Sequence, residues 1–127
     1  MSLALETVKK LNDYKKARGL KGEDFNIRIN YLIQKINWKD IRLIFEFHRN
    51  NSDLTPFITF LYKPNDLSLL NLAYTERKKI IDYYIDEFDY VERMKLGRIL
   101  NPLLRSMDKA DYISYLLKIK RKNEQCL

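Results

Sequence analysis

The side chains that could carry out catalysis are few, and none of them stands at a spacing typical of an enzyme. His48 is the only histidine, and a catalytic triad or a zinc site needs partners that the sequence around it lacks. Cys126 is the only cysteine and lies next to the last residue, where we expect an incidental thiol rather than a nucleophile. Gly19, Gly22 and Gly97 do not form a phosphate-binding loop. We therefore expect a protein that is not an enzyme, with no cofactor and no metal site.

The densest group of carboxylates is formed by Asp82, Asp86 and Asp89, whose spacings of four and three residues place them on one face of a helix. Such oxygen ligands suit a divalent cation or a basic partner. Like charges four residues apart repel one another on a helix, so nearby cations must compensate. Lys78 can reach Asp82, and Arg93 can reach Asp89 if the helix continues. We interpret the group as a solvated helix face and leave a functional role for it open.

Basic residues give the strongest functional signal, because the chain carries 24 Lys and Arg against 17 Asp and Glu, a net charge of +7. They concentrate toward the two ends of the sequence. A protein that binds nucleic acid through backbone phosphates needs such clusters, since its cations displace condensed counterions. The candidate nucleic-acid-binding residues are Lys9, Lys10, Lys15, Lys16 and Arg18, followed by Lys118, Lys120, Arg121 and Lys122.

Two hypotheses account for these clusters. In the first, a small basic protein that is not an enzyme binds nucleic acid through its phosphates, and the sequence does not distinguish DNA from RNA. In the second, the protein is an interaction module, either an adaptor or a homo-oligomer, whose apolar face makes the contact while the charge serves solubility. Both clusters lie at the ends of predicted helices, where cations also suit the helix dipole. The clusters alone therefore do not decide between the two.

The element that carries the first cluster is predicted to be an amphipathic helix over residues 2–18. Leu5, Val8, Leu11 and Tyr14 recur every three residues and predict its buried face. Gly19 comes directly after the last basic residue of this segment and predicts a glycine C-cap that ends the helix.

Three strands are predicted next, over residues 25–31, 41–47 and 57–62. Apolar and polar residues alternate in the first two segments, and the third is rich in β-branched and aromatic residues. Polar connections separate the segments, including residues 48–55, so we predict a three-stranded antiparallel meander. Residues 25–36 also satisfy a helical period, and an all-α bundle is therefore the alternative.

Helices are predicted from residue 65 to the end. A short helix over residues 66–74 precedes a longer one that Thr75 caps, and another segment follows over residues 90–100. Asn101 and Pro102 have the sequence of a helix start, and Asp108 begins the last helix, which carries the second basic cluster. The predicted buried faces consist of Ile80, Ile81, Tyr84, Ile85 and Phe88 on the long helix, and of Tyr112, Tyr115, Leu116 and Ile119 on the last one. We thus predict a single α+β domain over residues 1–127, with an N-terminal helix, the meander and a C-terminal group of helices.

Nothing in the sequence predicts a membrane segment. The apolar stretches 43–45 and 57–62 are far shorter than the roughly 20 residues that a membrane-spanning helix needs. The start of the chain lacks the apolar segment of a secretory signal, and a single cysteine fits a reducing compartment. We therefore expect a cytoplasmic protein with no membrane partner.

Overall fold

A computed structural model describes residues 3–19 and 27–125 of the chain. The described residues form mostly helices, with a small sheet of two strands. Three short 3-10 turns connect these elements, at Trp38–Asp40, Asn65–Leu67 and Leu69–Asn71. In chain order the helices and strands are α1 (Leu3–Ala17), β1 (Arg28–Ile33), α2 (Ile41–Asn50), β2 (Thr55–Phe60), α3 (Tyr74–Glu87), α4 (Tyr90–Lys95), α5 (Gly97–Arg105) and α6 (Lys109–Gln125).

The contacts divide the chain into two compact units. The first comprises residues 1–31 and 39–57, and the second comprises residues 32–38 and 58–127. Helices α1 and α2 therefore belong to the first unit, and helices α3 to α6 belong to the second.

The sheet is parallel, so the predicted three-stranded antiparallel meander is wrong. Thr55 N donates to the Ile27 carbonyl at 3.0 Å, and Leu61 N donates to the Ile33 carbonyl at 3.2 Å. Both bonds join residues separated by the same number of positions, which is the pattern of parallel strands. The first and third predicted strands correspond to β1 and β2, although residues 25 and 26 lie outside the described residues.

The segment 41–47, predicted as a strand, forms the first two turns of α2. Ile41, Ile44 and Phe45 are buried at helical spacings of three and four residues, whereas Leu43 is exposed. The alternation at odd positions overlooked Ile44, which the helix buries. Parallel strands cannot be joined by a hairpin and need a crossover, for which a helix is the usual solution. The segment is therefore a helix because the parallel strands need a crossover, although its alternation of apolar and polar residues is typical of a strand.

Helix α1 and its glycine C-cap are confirmed, but the helix presents a different face to the interior than its apolar spacing predicts. Gly19 adopts φ +67° and donates its N–H to the Lys16 carbonyl at 3.1 Å. Val8 packs against the cluster of Ile27, Phe47 and Leu54. Leu11 and Tyr14 are exposed, while Asn12 and Lys15 are buried at 0% and 4% exposure. The two amide atoms of Asn12 have no hydrogen-bond partner in the structure.

In the second unit α5 is the central helix, because it packs against α3, α4 and α6. The predicted apolar stripe of α3 is confirmed as buried core. Ile99 and Leu103 of α5 are buried as well, and so is Leu96, the residue before α5. Asp108 begins α6 as predicted, since its carboxylate accepts a bond from Asp111 N at 2.8 Å.

Three helix boundaries of this unit differ from prediction. Thr75 does not cap α3, which starts at Tyr74 without a side-chain cap. Pro102 lies inside α5 rather than at a helix start, and the segment 66–74 holds two 3-10 turns. Residues typical of helix ends therefore do not mark a helix end at these positions.

The orientation of α1 is tested by a pair of reciprocal substitutions. Asn12→Leu replaces a buried amide that has no partner with an apolar side chain of similar size. We expect it to raise the free energy of unfolding by about 1–3 kcal/mol. Leu11→Asn changes an exposed residue and should alter that free energy by less than about 0.5 kcal/mol.

Urea unfolding followed by circular dichroism measures both values. If Leu11 lay on the buried face, as its apolar spacing predicts, Leu11→Asn would instead lower the free energy of unfolding by about 2 kcal/mol or more. A destabilised Asn12→Leu variant together with a destabilised Leu11→Asn variant would contradict the orientation described above.

Candidate functional site

The first basic cluster is only partly available to a ligand. The Lys15 side chain is buried, and the Lys16 ammonium lies 3.3 Å from a carboxylate oxygen of Asp53. Lys9, Lys10 and Arg18 are exposed. The cluster thus retains three exposed cations that are not in an ion pair with Asp53.

The exposed side of α1 combines cations with an aromatic ring. Lys10 and Leu11 lie four and three residues before Tyr14, Arg18 lies four residues after it, and all four are exposed. The Arg18 guanidinium carbon sits 5.1 Å from the centre of the Tyr14 ring, a cation–π contact. We call these four residues the α1 face.

The second basic cluster is largely neutralised by the carboxylates of α3. Lys118 Nζ lies 3.5 Å from Asp82 and 3.0 Å from Asp86, and Lys122 Nζ lies 3.2 Å from Asp86. Burial raises the pKa of Asp86, but the hydrogen bonds and charges of the two lysines lower it overall. Lys120 and Arg121 remain exposed. These ion pairs join α3 to α6 and leave two cations of the cluster at the surface.

The acidic group does not assemble as a ligand site. Asp82 and Asp86 face α6, whereas the Asp89 carboxylate caps α4 by accepting from Glu92 N at 2.8 Å. No set of three metal-ligating side chains comes together within residues 3–19 and 27–125. Lys78 pairs with Asp111 at 3.5 Å rather than with Asp82. The spacing in sequence therefore indicated one helix face but not the partners that this face meets.

His48 has a structural environment on α2, rather than lying in a polar connection. Its Nδ1 lies 3.1 Å from the Leu54 carbonyl oxygen, which can only accept, so this nitrogen carries the proton. Its Nε2 then accepts from the Tyr31 hydroxyl at 2.9 Å. Burial raises the pKa of Tyr31 to about 12, so the hydroxyl keeps the proton that it donates. The imidazole thereby links β1 to the turn before β2. Cys126 and Gly22 lie outside the described residues.

An apolar concavity on the second unit lies between α4, α5 and α6, and we call it the α4–α6 groove. It encloses about 360 Å³ and is open along its length. Met94 is 66% exposed there, and Tyr90 and Leu116 are also more than a third exposed. Six apolar side chains form its walls: Tyr90, Met94, Leu100, Leu104, Leu116 and Ile119.

A buried cation lies at the bottom of this groove. Arg93 is only 7% exposed, and its guanidinium donates to the Phe88 carbonyl at 2.6 Å and to the side-chain oxygen of Asn123. Both acceptors are neutral, and no carboxylate of the described residues forms an ion pair with Arg93. Asn101 and Asn123 add amide groups to the lining. The groove therefore combines apolar walls with a positively charged floor.

Sequence reasoning missed this site, although one signal for it was present. The predicted buried face of α6 is buried only at Tyr115, while Tyr112 and Ile119 are half-buried and Leu116 is exposed. An apolar helix face that its own chain leaves uncovered indicates a binding surface. Arg93 could not be found in this way, because its spacing suggested a pair with Asp89.

A second concavity of similar volume lies beside β2 and contrasts with the groove. Tyr62, Lys63, Asn65, Leu70 and Asn71 line it with exposed side chains, and its buried Ser68 hydroxyl accepts from Leu70 N at 3.3 Å. It holds no buried charge, so the α4–α6 groove is the more distinctive of the two.

Comparison with models of protein families, with curated proteins and with solved structures finds no match for this chain. Among the described residues, none of the helices has the length and apolar character to cross a membrane.

Proposed function

We propose that this protein is an interaction module that holds a helical segment of a partner protein in the α4–α6 groove. The observation that supports this most is that Tyr90, Met94 and Leu116, from α4 and α6, are each more than a third exposed and line one groove. Contiguous apolar surface of this kind marks sites of protein association. The basic charge of the chain then serves solubility and the choice of partner.

The form of the groove favours a helix as its occupant. Side chains of α4, α5 and α6 bound it, and an amphipathic helix can place its apolar residues between those of neighbouring helices. The α6 lining runs from Leu116 to Asn123, which spans about 10 Å at the helical rise of about 1.5 Å per residue. Ile113 and Leu117 extend the exposed apolar surface of α6 beyond the lining. Two to three turns of a bound helix would cover this surface.

The proposal is tested with a displayed library of 16-residue helical peptides selected on the full-length protein. The peptides carry apolar residues at positions i, i+3, i+7 and i+10, and all other positions are random. We expect enriched peptides to lose about tenfold or more in affinity for Met94→Glu, because that carboxylate would be buried against the apolar face of the peptide. Lys95→Glu is the matched control, since it adds a carboxylate at the next residue, outside the groove lining.

Fluorescence anisotropy of the selected peptides gives the affinities. Equal weakening by Met94→Glu and Lys95→Glu would mean that the groove is not the binding surface. A selection that yields no peptide with saturable binding would reject the proposed function.

The α1 face supports nucleic-acid binding as a second candidate function. Tyr14 is 52% exposed beside the cations Lys10 and Arg18, and the neighbouring Lys9 is exposed as well. An aromatic ring among cations is the combination that contacts bases and phosphates of single strands. The second basic cluster supports nucleic-acid binding less, because Lys118 and Lys122 are paired with carboxylates.

This candidate predicts that binding of labelled single-stranded RNA and DNA falls steeply as salt rises. Replacing Lys9, Lys10 and Arg18 by Ala should lower the slope of log affinity against log salt by about 2 for single strands. Replacing Lys95, Arg105 and Lys109 by Ala removes the same charge from α4–α6 and serves as the control. Equal slopes for the two triple variants would show that the α1 face makes no specific contribution.

A further inference from the structure

The buried guanidinium of Arg93 has more donors than the protein uses. Arg carries five N–H groups, and two of them are accounted for by the Phe88 carbonyl and the Asn123 amide oxygen. No other acceptor among the described residues takes the remaining three. The side chain also lines the α4–α6 groove.

A buried charge without a counter-charge is unfavourable in the free protein. Transfer of an ion out of water is costly unless an opposite charge and hydrogen bonds replace the water. The two nearest carboxylates in sequence do not serve Arg93, because Asp89 and Glu92 form the capping box of α4. A bound carboxylate would supply the missing charge and accept two parallel N–H bonds from the guanidinium.

The residues around the groove carry a net positive charge, as Arg93 does. Residues 89–125 contain nine Lys and Arg against five Asp and Glu, a net charge of +4, which falls to +2 when Asp82 and Asp86 of α3, the partners of Lys118 and Lys122, are included. Four of those five carboxylates already have partners within the unit. Asp89 and Glu92 form the α4 capping box, Asp108 accepts from the backbone N–H of Asp111, and the Asp111 carboxylate binds the Tyr74 hydroxyl and Lys78. Exposed cations lie beside the groove lining, with Arg105 four residues after Asn101 and Lys120 four residues after Leu116.

We propose, on the basis of the proposed function, that the partner helix is acidic and that one of its carboxylates binds the Arg93 guanidinium at the floor of the α4–α6 groove. Apolar residues of the partner contact Met94, Leu100 and Leu116, while carboxylates at the edges of its apolar face meet Arg105 and Lys120. The partner is thus an acidic amphipathic segment of another protein.

A second copy of this chain fits the groove poorly. The exposed apolar residues of its own α1, Leu11 and Tyr14, are flanked by Lys10 and Arg18, so they would bring cations against a cationic surface. The carboxylates Asp82 and Asp86 are already paired with Lys118 and Lys122. Charge complementarity therefore selects an acidic partner over self-association.

The test uses two synthetic 16-residue helical peptides that differ only in charge. Both carry leucines at i, i+3, i+7 and i+10, and one has glutamate where the other has glutamine, at one central position of the apolar face and at its edges. Fluorescence anisotropy measures each peptide against the full-length protein and against Arg93→Gln and Lys95→Gln. Both substitutions remove one positive charge from α4, and Lys95 is exposed and outside the groove lining.

We expect the glutamate peptide to bind the wild-type protein about tenfold or more tightly than the glutamine peptide, and Arg93→Gln to remove most of that preference, with the remainder coming from Arg105 and Lys120. Lys95→Gln should retain the preference. If Arg93→Gln does not fold, the comparison of the two peptides on the wild-type protein still decides, together with Arg93→Lys, which keeps the charge but loses the planar fork. That variant should show a reduced preference.

The other outcomes separate the two proposals. Equal affinity of the peptides would overturn the acidic partner but leave the helix-binding function intact. Binding of neither peptide overturns the acidic partner, and the peptide library then decides whether the function stands. Saturable binding of decanoate in the groove without binding of the glutamate peptide would identify a site for small apolar carboxylates and overturn the inference. If light scattering shows dimers in the absence of peptide, and if Met94→Glu abolishes them, the occupant of the groove is a second copy of this chain.

Discussion

The burial of one guanidinium constrains the second unit of this protein. Arg93 extends from α4 and donates to the carbonyl of Phe88, the residue after α3, and to Asn123 on α6. Three helices therefore meet at one charged side chain, which must keep its neutral acceptors because no described carboxylate replaces them. The same side chain lines the α4–α6 groove and gives it a polar floor.

The position of α6 follows from its polar contacts with α3. Lys118 and Lys122 pair with Asp82 and Asp86, and at the other end of α6 Asp111 accepts from the Tyr74 hydroxyl at 2.5 Å. These contacts hold one side of α6 against α3 and turn its apolar residues toward α5. The central helix α5 covers only part of them, which leaves Leu116 and its neighbours exposed. Charges that the sequence suggested for a ligand thus determine how two helices pack.

The sequence predicts the helices that depend on local periodicity, but it does not predict which side chains contact one another across the fold. The extent of α1, its cap at Gly19 and the buried stripe of α3 were predictable, because each depends on residues within a few turns. The segment 41–47 was not, since only its pairing context distinguishes a crossover helix from a strand. The partners of Lys118 and Arg93 lie about 30 residues away in sequence, where spacing carries no information.

The interaction of Arg93 with a carboxylate is the central claim, and it can be observed directly by NMR. Protein labelled with ¹⁵N and with ¹³C at the methionine methyl groups is titrated with the glutamate peptide, so that the Arg93 Nε–H resonance and the Met94 methyl resonance are followed in one sample. The account predicts that the Nε–H proton shifts downfield, as a charge-assisted hydrogen bond requires, and that both resonances saturate at the same peptide concentration. A bound peptide that moves the Met94 methyl and leaves the Arg93 Nε–H unchanged would contradict it.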